Sequence, residues 1–109
     1  AACCISPLIL ARIFGKHNTI YSNNTDKNHN GRGIEITLGM KGENWKYSDT
    51  INLAHKLGNN LVEVDVTECH TDTINKIVTT PAYMKDNATP HEIYMGIEKM
   101  ISSLNKLMH

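Results

Sequence analysis

Residues 1–15 put a strand signal, a corner and a helix signal into one short stretch, and this pairing constrains the rest of the chain more than any other feature. Ala1, Ala2, Cys3 and Cys4 are small and apolar enough for a central strand. Ser6 can cap a helix, and Pro7 suits the first helical position, where a missing N–H costs nothing. Residues 8–14 are apolar nearly all round, which predicts a helix covered on most sides, and Gly15 can end it. A cysteine therefore stands at a strand-to-helix corner.

Downstream, residues 16–33 are crowded with Asn and other polar side chains, including His17 and His29, and read as a flexible loop or insertion with too little apolar area to offset ordering. Ile34-Glu35-Ile36-Thr37-Leu38 alternates with period two, as a strand does, and Gly39 ends it. The loop that follows carries Trp45, read as a packing lid. Ser48 or Asp49 can cap a helix to Leu57, with Ile51, Ala54 and Leu57 on one face and Gly58 beyond its end. Leu61-Val62-Glu63-Val64 is a short strand. Residues 66–70 and 76–80 form two β-like runs around Asp72-Thr73-Ile74-Asn75, a hairpin at a sheet edge. Thr89-Pro90-His91-Glu92 is a capping box, and Ile93, Ile97, Met100, Ile101, Leu104 and Leu107 then recur at helical spacing.

Strand, helix, strand, helix, strand, hairpin, helix is the order of an α/β protein with a mostly parallel sheet and right-handed crossovers. The core of such a sheet is thin in 109 residues, and a central first strand needs a neighbour on each side. The missing partners come from the rest of a larger domain or from another polypeptide. A chain that starts inside a strand and lacks an initiator Met points to an upstream portion.

Eleven Lys and Arg balance eleven Asp and Glu, so there is no basic field for nucleic acid or for an anionic membrane surface. The longest apolar run is much shorter than the roughly 20 residues a membrane span needs. Three cysteines, two of them adjacent, make neither a disulfide framework nor a zinc-ligand spacing, and fit a reducing compartment.

A cysteine at such a corner has its sulfur raised above the sheet, and the neighbouring helix N-terminus favours thiolate over thiol. The N–H of Ile5 can hold a developing oxyanion. The plainer alternative is an inert cysteine buried in an apolar strand. The segment Ala2-Cys3-Cys4-Ile5-Ser6-Pro7, followed by Leu8, Ile9, Leu10 and Ala11, resembles the nucleophile elbow of the PfpI/ThiJ superfamily, the class I glutamine-amidotransferase-like proteins that include the Parkinson-disease deglycase. Asn75-Lys76-Ile77-Val78-Thr79-Thr80-Pro81-Ala82-Tyr83-Met84, with Gly96-Ile97-Glu98-Lys99, is similar to the branch called enhancing lycopene biosynthesis protein or sigma cross-reacting protein.

The resemblance implies a flavodoxin-like α/β sandwich of which residues 1–109 are the C-terminal half, with a lineage insertion at about 16–33. It implies Cys4, by its spacing to Pro7, as the nucleophile, beside the Ile5 backbone donor; Thr79, Thr80 and Pro81 follow the strand end expected near the elbow, outside which such sheets bind ligands, and with Ser6 are the expected pocket residues. His70 matches a His of mitochondrial-type relatives, while its local setting reads as a surface or edge histidine. Superfamily members place a His where this chain has Met40, and the acidic partner of the elbow thiol belongs to the absent half. The activity implied is a weak, cofactor-independent and metal-free glyoxalase acting on small reactive carbonyls. The alternative is a redox-sensing or regulatory dimer linked to isoprenoid metabolism. The expected partners are the missing N-terminal half and a second copy, with no nucleic acid or membrane, in a mitochondrial or other organelle matrix or in the cytosol.

Overall fold

The structure, a computed structural model, describes residues 1–15 and 33–108; nearly all of the Asn-rich stretch, with His17 and His29, lies outside the described residues. In chain order the elements are β1 (Ala2–Cys3), α1 (Pro7–Phe14), β2 (Glu35–Ile36), α2 (Asp49–Lys56), β3 (Asn60–Leu61), β4 (His70–Asp72), β5 (Ile77–Thr80), a 3-10 turn (Ala82–Met84) and α3 (Pro90–Met108).

β5 is the middle strand of one ladder. On one edge it runs parallel to β1, with Ala2 opposite Thr79 and Cys3 opposite Thr80. On its other edge it is antiparallel to β4, with His70 opposite Thr79 and Asp72 opposite Ile77. β2 and β3 form a second, parallel ladder, Glu35 opposite Asn60 and Ile36 opposite Leu61. Side chains join the two ladders: Thr37 N–H donates to Thr79 Oγ1 (2.9 Å) and Glu35 N–H to Asp72 Oδ2 (2.8 Å). The outer edge of β1 has no strand against it among the described residues.

The core is aliphatic, as a chain with one Trp and one Phe requires: Ile34, Ile36, Leu38, Ile51, Val66 and Val78 are fully buried. α3 lies across β5 through its buried face of Ile93, Gly96 and Met100. The approach is close because Gly96 has no side chain; a Cβ there would stand 2.1 Å from the carbonyl oxygen of Val66. The capping box forms as the sequence predicts. Thr89 N–H donates to Glu92 Oε1 (3.0 Å) and Glu92 N–H to Thr89 Oγ1 (3.2 Å).

Four expectations need correction. α1 is covered on one face rather than on most sides: Pro7 and Ala11 are buried against the core and α2, while Ile9 and Ile13 are exposed. Ser6 occupies the cap position of α1 without capping it. Its backbone is already helical, and its Oγ turns back to donate to Cys3 O at 2.7 Å. The first arm of the hairpin begins at His70 rather than at residue 66, because Val66 is drawn into the core and Thr80 Oγ1 takes the carbonyl of Glu68 (2.6 Å). The strands around residues 34–38 and 61–64 contribute only two ladder residues each; beyond Ile36, the N–H of Thr37 turns to a side-chain acceptor.

Candidate active site at the strand-to-helix corner

The corner is built from backbone hydrogen bonds. Cys4 N–H donates to Thr80 O (3.1 Å), which fastens the end of β1 to the end of β5. Ser6 N–H closes the turn on Cys3 O (3.1 Å), and Leu8 N–H to Ile5 O with Ile9 N–H to Ser6 O then start α1. Within this turn Cys4 has φ +60, in the left-handed region that side chains other than glycine enter at a cost. Cys4 is thus a strained residue at the tip of β1, two residues before the cap position of α1. Ile5 N–H has no acceptor among the described residues, so one backbone donor beside the thiol is open. Cys3 and Cys4 are both half-buried free thiols.

A second strained residue lies on the neighbouring strand end. Ala82, buried just beyond β5, has φ +48. Lys76, in the turn between β4 and β5, is a third such residue (φ +60), so positive φ also occurs away from the corner. Nothing in the local sequence signals it at Ala82, since φ is imposed there by the turn out of β5.

Thr79, Thr80 and Pro81 are fully buried. The hydroxyl of Thr79 accepts from Thr37 N–H and that of Thr80 donates to Glu68 O, so both are engaged inside the protein. What Thr80 brings to the corner is its carbonyl. His70 is in the ladder row that runs from His70 through Thr79 to Ala2, two strand spacings or about 10 Å from β1. Its Nε2 is paired with Glu35 Oε1 at 2.9 Å. Cys4, Ile5, Ser6 and the Thr80 carbonyl are thus brought together, and His70 stands apart from them. Met40 is half-buried and packs against the core, after Gly39, over which Trp45 lies as a lid. No group of three or more His, Cys, Asp and Glu among the described residues could hold a metal ion.

Sequence reasoning did not single out two buried polar groups that hold the frame. Asn59 accepts from Ile34 N–H (3.1 Å) and donates to Ala11 O (3.0 Å) and Ala54 O (3.1 Å), tying α1, α2 and β2 together. Asp72 accepts from Glu35 N–H, from the N–H groups of Ile74 and Asn75, and from the Asn75 side chain. Burial pushes its carboxyl up, and these bonds outweigh it, leaving it below the usual carboxylate value. The Asp72 to Asn75 turn was a visible signal; the bond to Glu35 was not.

Fold and corner together describe an α/β protein of flavodoxin type with a half-buried thiol at a strand-to-helix corner. No family model matches the chain. Proteins similar to it include the human glutamine amidotransferase-like class 1 domain-containing protein 3, mitochondrial, and the rat ES1 protein homolog, mitochondrial. Each is 32% identical over 108 residues, covering 96% of this chain and 34% of the relative. The chain spans about a third of the length of these curated relatives. The crystal structure of an isoprenoid biosynthesis protein with amidotransferase-like domain from Ehrlichia chaffeensis matches with a TM-score of 0.70 at 23% identity, over 98% of this chain and 39% of that chain. The fold is therefore the amidotransferase-like, flavodoxin-type α/β fold, and the homologues are glutamine amidotransferase-like class 1 domain proteins, to part of whose length this chain corresponds. No helix among the described residues is long and apolar enough to cross a membrane.

Proposed function

We propose that the chain is the elbow-bearing C-terminal part of a glutamine amidotransferase-like domain in which Cys4 is a nucleophile toward small reactive carbonyls, with weak, cofactor-independent glyoxalase activity. The observation that carries this reading is φ +60 at Cys4 beside the Ile5 N–H, which has no acceptor among the described residues. Cys4 thiolate adds to one aldehyde carbon of glyoxal, and the carbonyl electrons move to oxygen as the Ile5 N–H steadies the charge. A hydrogen then shifts from that carbon to its neighbour, giving a glycolate thioester, which water cleaves to glycolate and free thiol. The proton carrier for the shift is the acidic group that the family resemblance assigns to the remainder of the domain. The half-open β1 edge and the exposed face of α1 are where that remainder would pack, and a homodimer in a mitochondrial matrix is the setting expected of the full protein.

Turnover of glyoxal and methylglyoxal by the full-length protein and by its Cys4→Ala variant tests the proposal. Loss of turnover in the variant is expected; equal rates would overturn it. A redox-sensing dimer tied to isoprenoid metabolism is the second reading. It is favoured by the half-buried position of Cys4 and by the match to the Ehrlichia protein. Oxidation confined to Cys4 at low peroxide, without carbonyl turnover, would select it.

A further inference from the structure

Neighbouring cysteines in a strand do not normally meet, because successive side chains leave opposite faces of the sheet. The end of β1 breaks that rule. Strand backbone has φ near about −120 to −140°, whereas Cys4 has φ +60. The difference is about half a turn, and it swings the Cβ of Cys4 from the face opposite Cys3 to the side on which the Cys3 Cβ lies. A trans peptide holds the two Cα atoms about 3.8 Å apart. With both Cβ atoms on one side, the two thiols share a face, and a Cα separation below the roughly 4.4–6.8 Å that disulfides usually bridge makes the bridge between them a strained one.

The peptide between the two residues is pinned on both sides. Its N–H is bound to Thr80 O, and its carbonyl accepts from both the N–H and the Oγ of Ser6. The backbone thus holds this arrangement in place while side-chain rotation brings the sulfurs together. Both thiols are free and half-buried. The remaining cysteine, Cys69, lies against Ser103 Oγ of α3 at 3.6 Å.

We propose that Cys3 is the resolving thiol of Cys4, and that a reversible disulfide between these neighbours switches the elbow off under hydroperoxide. The inference rests on the reading of Cys4 as the reactive thiol. Cys4 thiolate attacks one oxygen of the hydroperoxide, the O–O bond breaks, and an alcohol or water leaves, so the sulfur is oxidised by two electrons to sulfenic acid. Cys3 sulfur then attacks Cys4 sulfur and hydroxide departs, taking up the proton lost by Cys3 to form water. Two thiols and one hydroperoxide give one disulfide, one alcohol (or water) and one water. The bridge prevents the second oxidation to sulfinic acid and withdraws Cys4 from carbonyl addition. The close Cα spacing makes the ring strained, so a dithiol reopens it readily.

The test treats the full-length protein with a several-fold molar excess of hydrogen peroxide, because sulfinic acid consumes two peroxides per thiol, and follows the tryptic peptide ending at Arg12 by mass spectrometry. The expected product lacks two hydrogens, is restored by dithiothreitol, and loses glyoxal turnover in parallel. In the Cys3→Ser variant the same dose drives Cys4 to sulfinic acid. Wild-type protein that accumulates sulfinic acid at Cys4 without the bridged species overturns the resolving role while leaving Cys4 reactive, and this measurement decides even if the variant folds poorly. Oxidation of Cys69 or methionines with Cys4 untouched overturns the reactive-thiol reading itself.

Discussion

The backbone N–H of Cys4 donates to the carbonyl of Thr80 across 3.1 Å, so the bend that raises the thiol is fixed by the neighbouring strand and not by the turn alone. Register follows from the same contact. Cys3 is opposite Thr80 in the parallel ladder, and a slip of one residue would turn the thiol to the other face.

Left-handed backbone at Cys4 makes a direct stability prediction. Cys4→Gly removes the strain that Cys4→Ala retains, offset in part by the greater chain entropy of glycine. The Gly variant is expected to be more stable than the Ala variant by about 0.5–1 kcal/mol. Urea denaturation followed by the fluorescence of Trp45, the single Trp, measures the difference. An Ala variant as stable as the Gly variant would show that Cys4 is not held at positive φ.

Asn59 is almost fully buried and satisfies one donor and two acceptors from three segments. Asn59→Ala leaves Ile34 N–H and Ala11 O without partners in the interior, a loss of about 3 kcal/mol. Asn59→Asp is expected to be worse, because it points a carboxylate at two carbonyl oxygens. Denaturation midpoints of the two variants give the order.

Asp72 makes stability depend on acid. Its folded carboxyl titrates below its ordinary value of 3.8, so its contribution is complete above that pH and disappears as the pH falls through the lower folded value. Asp72→Asn is expected to destabilise the protein at neutral pH by about 1–2 kcal/mol and to flatten the acid limb of the stability curve. An unchanged slope below pH 3.8 in the variant would remove Asp72 as the cause.

Gly96 sets how closely α3 approaches the loop through Val66. A methyl group there meets Val66 O at 2.1 Å and Thr80 Oγ1 at 2.9 Å, both fixed by the core. Gly96→Ala is expected to cost about 3 kcal/mol despite the higher helix propensity of alanine. Thermal denaturation reads the loss, and a gain in stability would mean that α3 is free to shift outward.

Much of the fold was legible because its signals are local. Pro7 at the first helical position, the Thr89 and Glu92 box, the period-two run from Ile34 and the Asp72 turn are each decided by residues within a few positions of one another. Misreadings arose where a distant group competed. Ser6 gave its hydroxyl to Cys3, Thr37 gave its N–H to Thr79, and Glu68 gave its carbonyl to Thr80. The apolar face of α1 was readable as apolar, but what it lies against depends on which elements pack there.

By itself the sequence determined the element order, an aliphatic core and the placement of Cys4 two residues before a helical cap position, since composition, periodicity and turn chemistry act at short range. Tertiary structure alone decided that Cys4 lies at positive φ, that Ile5 N–H has no acceptor among the described residues, that the hydroxyls of Thr79 and Thr80 are engaged inward, and that His70 pairs with Glu35 two strands from the corner. These outcomes depend on strand pairing between residues far apart in the chain, where backbone angles and hydrogen-bond partners are set by neighbours that no local pattern specifies.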